Sequence, residues 1–284
     1  MSEQPEGLNH ACGAEYQYVS GQFRGSFASL FSRFDALNGH ALTSNCWQLD
    51  LRYGPHERQT LDLCPAVGVA RGTAFYFHAG YWHSRDKAQF RFLAPPLADA
   101  GFNVAMVNYP LSPEVRIPQI TEAVRAAVPA LMARLPGNQN RLPLFLCGHS
   151  AGAHLAIELA MNASSAWHAQ ISAVICISGL FDLVPLVDTS LNQKLALDYS
   201  EAQDCSPLFR VNSSELPASY FLVGGDETPA FQDQSRVMAQ RWASAGNRSR
   251  FIAVARQDHF SVLDALQGPD GLLLALMNER STGC

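Results

Sequence analysis

The sequence predicts an α/β fold, a mostly parallel central sheet with helices on both faces. Three observations carry this expectation. Short continuous apolar runs alternate with helical patterns, as in GTAFYFHAG, LPLFLCG and ISAVICISG, and strands that read as unbroken apolar runs are those buried on both faces. Two early segments, CWQLDLRYG and RQTLDLCPA, alternate instead, which suits antiparallel strands at one edge of such a sheet. Finally, LFLCGHSAGAHLAIELA sets a tight Gly-His-Ser-Ala-Gly between an apolar run and a helical pattern, the signature of a sharp strand-to-helix turn.

The remaining elements follow in order. Residues 1–40 form an irregular or partly helical extension, with FASLFSRFDAL its best helix. After the alternating pair and GTAFYFHAG come FNVAMVNYP as a strand and QITEAVRAAVPALMARL as a helix stopped by Pro136-Gly137. LPLFLCG leads into the helix AGAHLAIELAMNAS. The strands ISAVICISG, SYFLVGGDE and RFIAVARQDH follow, with FQDQSRVMAQRWASAG a helix between the last two and SVLDALQGPDGLLLALMNER mostly helical at the end. No repeat, low-complexity tract or linker divides the chain, so one domain over residues 1–284 is expected, with a short cap segment at about residues 180–215.

Composition bounds the function. A hydrophobic content of 48% in 284 residues is enough for one large core. Lys and Arg number 20 against 25 Asp and Glu, a net charge of −5 without long runs of one sign. Nucleic acid and anionic membranes need concentrated positive charge and are not expected as partners. Seven cysteines without a C-x-x-C pair read as thiols in a reducing compartment. The polar start MSEQPEGLNHACG lacks the features of a signal peptide, and no apolar run approaches the roughly 18 residues of a membrane span. A cytoplasmic protein acting on a small-molecule substrate is expected, with a homodimer left open.

In parallel sheets, chemistry sits at the carboxyl ends of the strands. Four loops fall there: 78–82, 148–152, 224–227 and 258–260. A G-x-S-x-G arises by chance in roughly one chain in ten of this length, but in strand–turn–helix context it marks Ser150 as a nucleophile rather than a helix cap. A serine hydroxyl needs a base to take its proton and a carboxylate to orient that base. His154 and His168 follow Ser150 too early and read as packing or surface residues, whereas His259 ends the last strand and is the expected base. Asp226, after the strand SYFLVGG, is the expected acid. Glu227 stands beside it, and Asp258 is poorly placed to reach its own neighbour's ring.

The tetrahedral intermediate needs donors aimed at its oxyanion. The Ala151 N–H is one; the second should come from the loop HAGYW, through Gly80 or Tyr81, with His78 and Trp82 orienting that loop. Tyr81, Trp82 and Phe181 sit on loops near the expected site. Tyr81 and Phe181 are the candidates for an aromatic substrate wall, while ordinary core packing is the first expectation for Trp82.

HAGYW, GHSAGAHL, SGLFDLVPLVDT, DCSPL, the GGDE and FQDQS segment and DHF together resemble the kynurenine formamidases, or arylformamidases, of the α/β-hydrolase superfamily. The resemblance runs from about Trp47 to near the C-terminus. GHSAG is shared by many esterases; HxGYW with FDLVPL and SPL discriminates more. The resemblance implies the α/β-hydrolase fold and metal-free, cofactor-free hydrolysis of N-formyl-L-kynurenine to kynurenine and formate, in tryptophan breakdown. It carries the nucleophile, acid and base onto Ser150, Asp226 and His259. One position departs: Ala79 stands where the family's HGGxW motif has its first glycine. The alternative within this class is a carboxylesterase of other small-acyl esters or amides. Outside it stand a metal-dependent amidase, for which His154 with Glu158 and His78 with His83 would be ligand pairs outside any recognised motif, and a non-catalytic binding protein on the same scaffold.

Overall fold

A computed structural model describes residues 13–162 and 166–281. The first twelve residues of the expected extension, with the polar N-terminus read for a signal peptide, therefore lie outside the described residues. So do the end of the helical segment that follows Ser150 and the last three positions of the chain. Eight strands form one sheet in the order β1-β2-β4-β3-β5-β6-β7-β8. They are β1 (Gln48–Arg52), β2 (Thr60–Cys64), β3 (Gly72–Phe77), β4 (Phe102–Val107), β5 (Leu144–His149), β6 (Ile171–Ile177), β7 (Ala218–Gly224) and β8 (Ser249–Val254). Every strand expected from the apolar runs is present. β2 runs antiparallel to both neighbours and the rest pair in parallel, so the alternating segments do lie at one edge. β1 is mostly exposed and bulged where Asp50 takes a φ of 53°.

Strand parity divides the core. Phe75, Phe77, Leu144, Leu146, Val174, Cys176, Phe221 and Val223 point to one face; Ala74, Tyr76, Phe145, Cys147, Ala173, Ile175, Tyr220 and Leu222 point to the other. The first face is covered by α4 (Ile117–Arg125), α5 (Ala127–Met132), α6 (Ala151–Met161) and α9 (Pro229–Ser244), the second by α2 (Phe27–Ser44), α3 (Ala94–Asp99) and α10 (Leu272–Ser281). The helix expected over QITEAVRAAVPALMARL is in fact two. Pro129 lacks an N–H, and its ring crowds the carbonyl four residues back at Arg125, where α4 ends. The C-terminal segment is likewise broken, by the sequence from Gln267 to Gly271 with Gly268 at a φ of 89°.

Between β6 and β7, where a cap was expected, short helices follow one another, including α7 (Asn192–Leu195) and α8 (Tyr199–Asp204). An N-terminal helix, α1 (Ala14–Tyr18), packs on this segment and on α9.

Candidate active site

Ser150 sits between the last residue of β5 and the first of α6, with φ 57° and ψ −119°. A non-glycine residue there is strained by about 1–3 kcal/mol, and the surrounding structure must hold it. Its N–H is fixed to the Ile177 carbonyl at 2.8 Å. The two glycines are required by close approach. A Cβ on Gly148 would lie 2.1 Å from the Gly152 carbonyl oxygen, and one on Gly152 would lie 2.0 Å from that of Phe77 and 2.6 Å from that of His78. The start of α6 is thus pressed against the end of β3. Ser150 Oγ is buried and has no hydrogen-bond partner among the described residues, which leaves it available to a substrate.

The histidine and its acid come from the loops after β8 and β7. His259 is buried, and its Nδ1–H donates to Glu227 Oε2 at 2.8 Å. Nε2 is then the nitrogen left to accept a proton. Glu227 is also buried, and its Oε1 accepts from Ser178 Oγ at 2.5 Å and from the Gly224 N–H at 2.7 Å. Both carboxylate oxygens are therefore engaged and oriented, the arrangement that holds a catalytic imidazole in one tautomer and stabilises its imidazolium. This corrects the expectation of Asp226. That residue is exposed; its N–H is committed to the Gln257 carbonyl and its own carbonyl accepts from Arg24. The backbone pairs with the β8 side through Asp226 and only then reverses, so the longer Glu227 side chain folds back inside. The two loops meet closely: a Cβ on Gly224 would stand 2.3 Å from the Gln257 carbonyl oxygen.

Sequence reasoning missed two further residues. Ser178, which holds Glu227, is wholly buried with a φ of 49°. His149, the second residue of GHSAG, donates from Nε2 to the His259 carbonyl at 2.7 Å and lies 4.8 Å ring to ring from the His259 imidazole. Burial, and then the neighbouring His259, hold its pKa well below the usual histidine value, so it stays neutral beside the base.

The HAGYW loop lies beside this pair. Gly80, Tyr81 and Trp82 all have positive φ, at 131°, 47° and 57°, and a Cβ on Gly80 would fall 2.1 Å from the Ser84 carbonyl oxygen. Among the described residues, the N–H groups of Gly80, Tyr81 and Ala151 donate to no protein acceptor. His78 is sandwiched between Tyr109 and Phe90, with centroid distances of 4.3 and 6.2 Å. Its Nδ1–H donates to the Ala79 carbonyl at 2.7 Å, and burial pushes its pKa down to about 4. Trp82 is fully buried, edge-on to His154 at 5.1 Å. The Tyr81 hydroxyl donates to the Tyr18 carbonyl. The Ala79 methyl is buried in the core on the α2 and α3 face, with no positive φ at that residue, so it is accommodated away from the acyl site.

Phe181 is not a substrate wall. It is wholly buried edge-on to Phe221, with its ring filling the space beside Gly179. His154 donates to the Cys205 carbonyl at 2.9 Å, and Glu158 pairs with Arg210; both line a cleft of about 430 Å³ that Ser150 and His259 do not share. His168 donates to the Ala160 carbonyl at 2.7 Å. His78, His154 and Glu158 are thus each engaged with protein partners, and no group of three potential metal ligands occurs among the described residues.

A family model described as an alpha/beta hydrolase fold matches residues 74–263. The chain is 31% identical over 245 residues to the kynurenine formamidase of Danio rerio, covering 81% of this chain and 80% of that one. This chain belongs to the kynurenine formamidase family of α/β hydrolases. The kynurenine formamidase of Salmo salar is 30% identical over 241 residues, covering 81% of this chain and 80% of its own. A crystal structure from Silicibacter sp., provisionally described as a thioesterase, superposes with a TM-score of 0.82 at 32% identity, covering 93% of this chain and 98% of the other. As a member of the kynurenine formamidase family, the chain is a hydrolase enzyme. No helix among the described residues is long and apolar enough to cross a membrane.

Proposed function

We propose that this protein is a serine hydrolase that cleaves N-formyl-L-kynurenine to L-kynurenine and formate through a formyl-enzyme, a step of tryptophan catabolism in the cytoplasm. The observation that carries the mechanism is the buried Glu227–His259 hydrogen bond beside the strained, unpartnered Ser150. Ser150 Oγ attacks the formyl carbon while His259 Nε2 takes its proton. The Ala151 N–H and that of Gly80 or Tyr81 hold the oxyanion. His259 returns the proton to the aryl amine as the C–N bond breaks, and water, activated by the same imidazole, releases formate from the ester. Ser–His contacts in free enzymes are often long and tighten on substrate binding, which fits a serine without a partner here. Membership of the formamidase family supports the substrate.

The test is turnover of N-formyl-L-kynurenine beside p-nitrophenyl acetate and butyrate, with Ser150→Ala as control. Efficient formylkynurenine cleavage, lost in the variant, is the expected result. Ester cleavage with negligible formylkynurenine turnover would make the protein a carboxylesterase of other small-acyl substrates.

A further inference from the structure

Among the described residues, Arg85 is a cation beside the catalytic loops that makes no ion pair. It lies three residues beyond Trp82, with a φ of 74° and its carbonyl oxygen accepting from Arg58. Its stem runs along the HAGYW loop, close enough that a Cβ on Gly80 would stand 2.9 Å from Arg85 Cγ. Its guanidinium lies 4.1 Å above the centre of the Phe31 ring and 5.3 Å from that of Phe260, the residue after His259. Phe260 in turn lies 5.2 Å ring to ring from the His259 imidazole. The guanidinium therefore stands one aromatic ring away from the base.

Among the described residues no acid pairs with it. Nearby arginines are paired: Arg33 with Asp264, Arg58 with Asp86, Arg91 with Asp62. Among the described residues Arg85 makes no ion pair, and its guanidinium makes no hydrogen bond. Asp35, the acid whose charge it feels, is exposed. Partial burial lowers its pKa, against the pull of that charge. A guanidinium stacked on rings keeps its in-plane N–H donors free, the fork that binds a carboxylate through two parallel hydrogen bonds.

The side on which it stands specifies what it binds. His259 must deliver its proton to the leaving group, so the leaving group departs over His259 and Phe260, toward the guanidinium. We propose that Arg85 anchors a carboxylate carried on the leaving group, so that the substrates of this enzyme are small-acyl amides or esters whose released half bears a carboxylate. The assignment rests on Ser150 and His259 being the nucleophile and base. It makes Arg85 a specificity-determining residue that acts at the far end of the substrate from the acyl group.

The experiment compares phenyl acetate with 4-acetoxybenzoate, which differ by one carboxylate on the leaving group, in the wild type, Arg85→Lys and Arg85→Met. The expected result is a wild-type preference for the carboxylated ester in kcat/KM that falls at least tenfold in Arg85→Met, chiefly through KM, is partly kept by Arg85→Lys, and weakens with added salt. In parallel, 3-phenylpropionate should slow fluorophosphonate labelling of Ser150 in the wild type and not in Arg85→Met. That readout needs no turnover, and labelling of the variant shows that it is folded. An unchanged ester ratio with equal protection in both proteins would overturn the role of Arg85 while leaving the hydrolase intact. Absence of labelling and of ester cleavage in the wild type would instead overturn the nucleophile assignment, and this inference with it.

Discussion

Asp226 and Glu227 are adjacent acids, and only the second is inside the molecule, with its carboxylate bonded to His259, Ser178 and the Gly224 N–H. Glu227→Gln should lower kcat about 10³-fold by removing the charge that stabilises the imidazolium, whereas Asp226→Asn should stay within threefold of the wild type. Steady-state kinetics on one substrate decide between them, and equal losses would restore Asp226 as a candidate. Ser150 offers a second contrast. Ser150→Ala should abolish turnover with the melting transition kept. Ser150→Gly should also be inactive yet melt a few degrees higher, because glycine adopts a φ of 57° and a ψ of −119° without the strain of a side chain. A lower Tm for the glycine variant would mean that the elbow stores no such strain.

At the scale of elements, the site exists because α6 is jammed against β3. In Gly152→Ala the new methyl meets the Phe77 carbonyl oxygen at 2.0 Å, and backbone cannot move aside as a flexible side chain would. This variant should fail to accumulate as folded protein or should lose many degrees of Tm. The departure at Ala79 belongs to the same scale. Since its methyl packs in the core, Ala79→Gly should cost about 1 kcal/mol of stability in urea unfolding and leave the ratio of formamide to ester turnover within threefold. A shift of that ratio by tenfold would place the methyl in the acyl site after all.

The whole molecule supports the site from a distance. The N-terminal segment reaches three functional loops: the Tyr18 carbonyl accepts from Tyr81, Gln17 accepts from Thr228 and Ala230, and Glu15 accepts from Ser190 in the cap segment. Removing residues 1–24 should lower kcat and Tm together. Acid sensitivity is also a global property. His78, His149 and His154 are buried, and burial lowers the pKa of each, that of His78 to about 4. The unfolded chain then binds protons near pH 6.5 that the native state refuses until far lower, so stability is full above 6.5 and falls as pH drops toward 4. His78 alone should cost on the order of 2 kcal/mol at pH 5. Urea midpoints at pH 7 and pH 5 measure this, and His78→Gln should flatten the difference.

The sequence alone determined the strands, their parallel arrangement, the elbow at Ser150 and the position of His259 after the last strand. Each of these rests on local periodicity or on glycines at a fixed spacing. It did not determine which acid turns inward after β7, because that depends on where the backbone stops pairing with the β8 side, a contact between residues some thirty positions apart. Phe181 was misread for a related reason, since a ring on a loop is indistinguishable in sequence from one that fills the space beside Gly179. Arg85 carried no sequence signal at all. Its interest lies in the absence of a partner and in two rings, Phe31 and Phe260, brought together from opposite ends of the chain. Local chemistry is written along the chain; only folding decides which charges are left without a counter-ion.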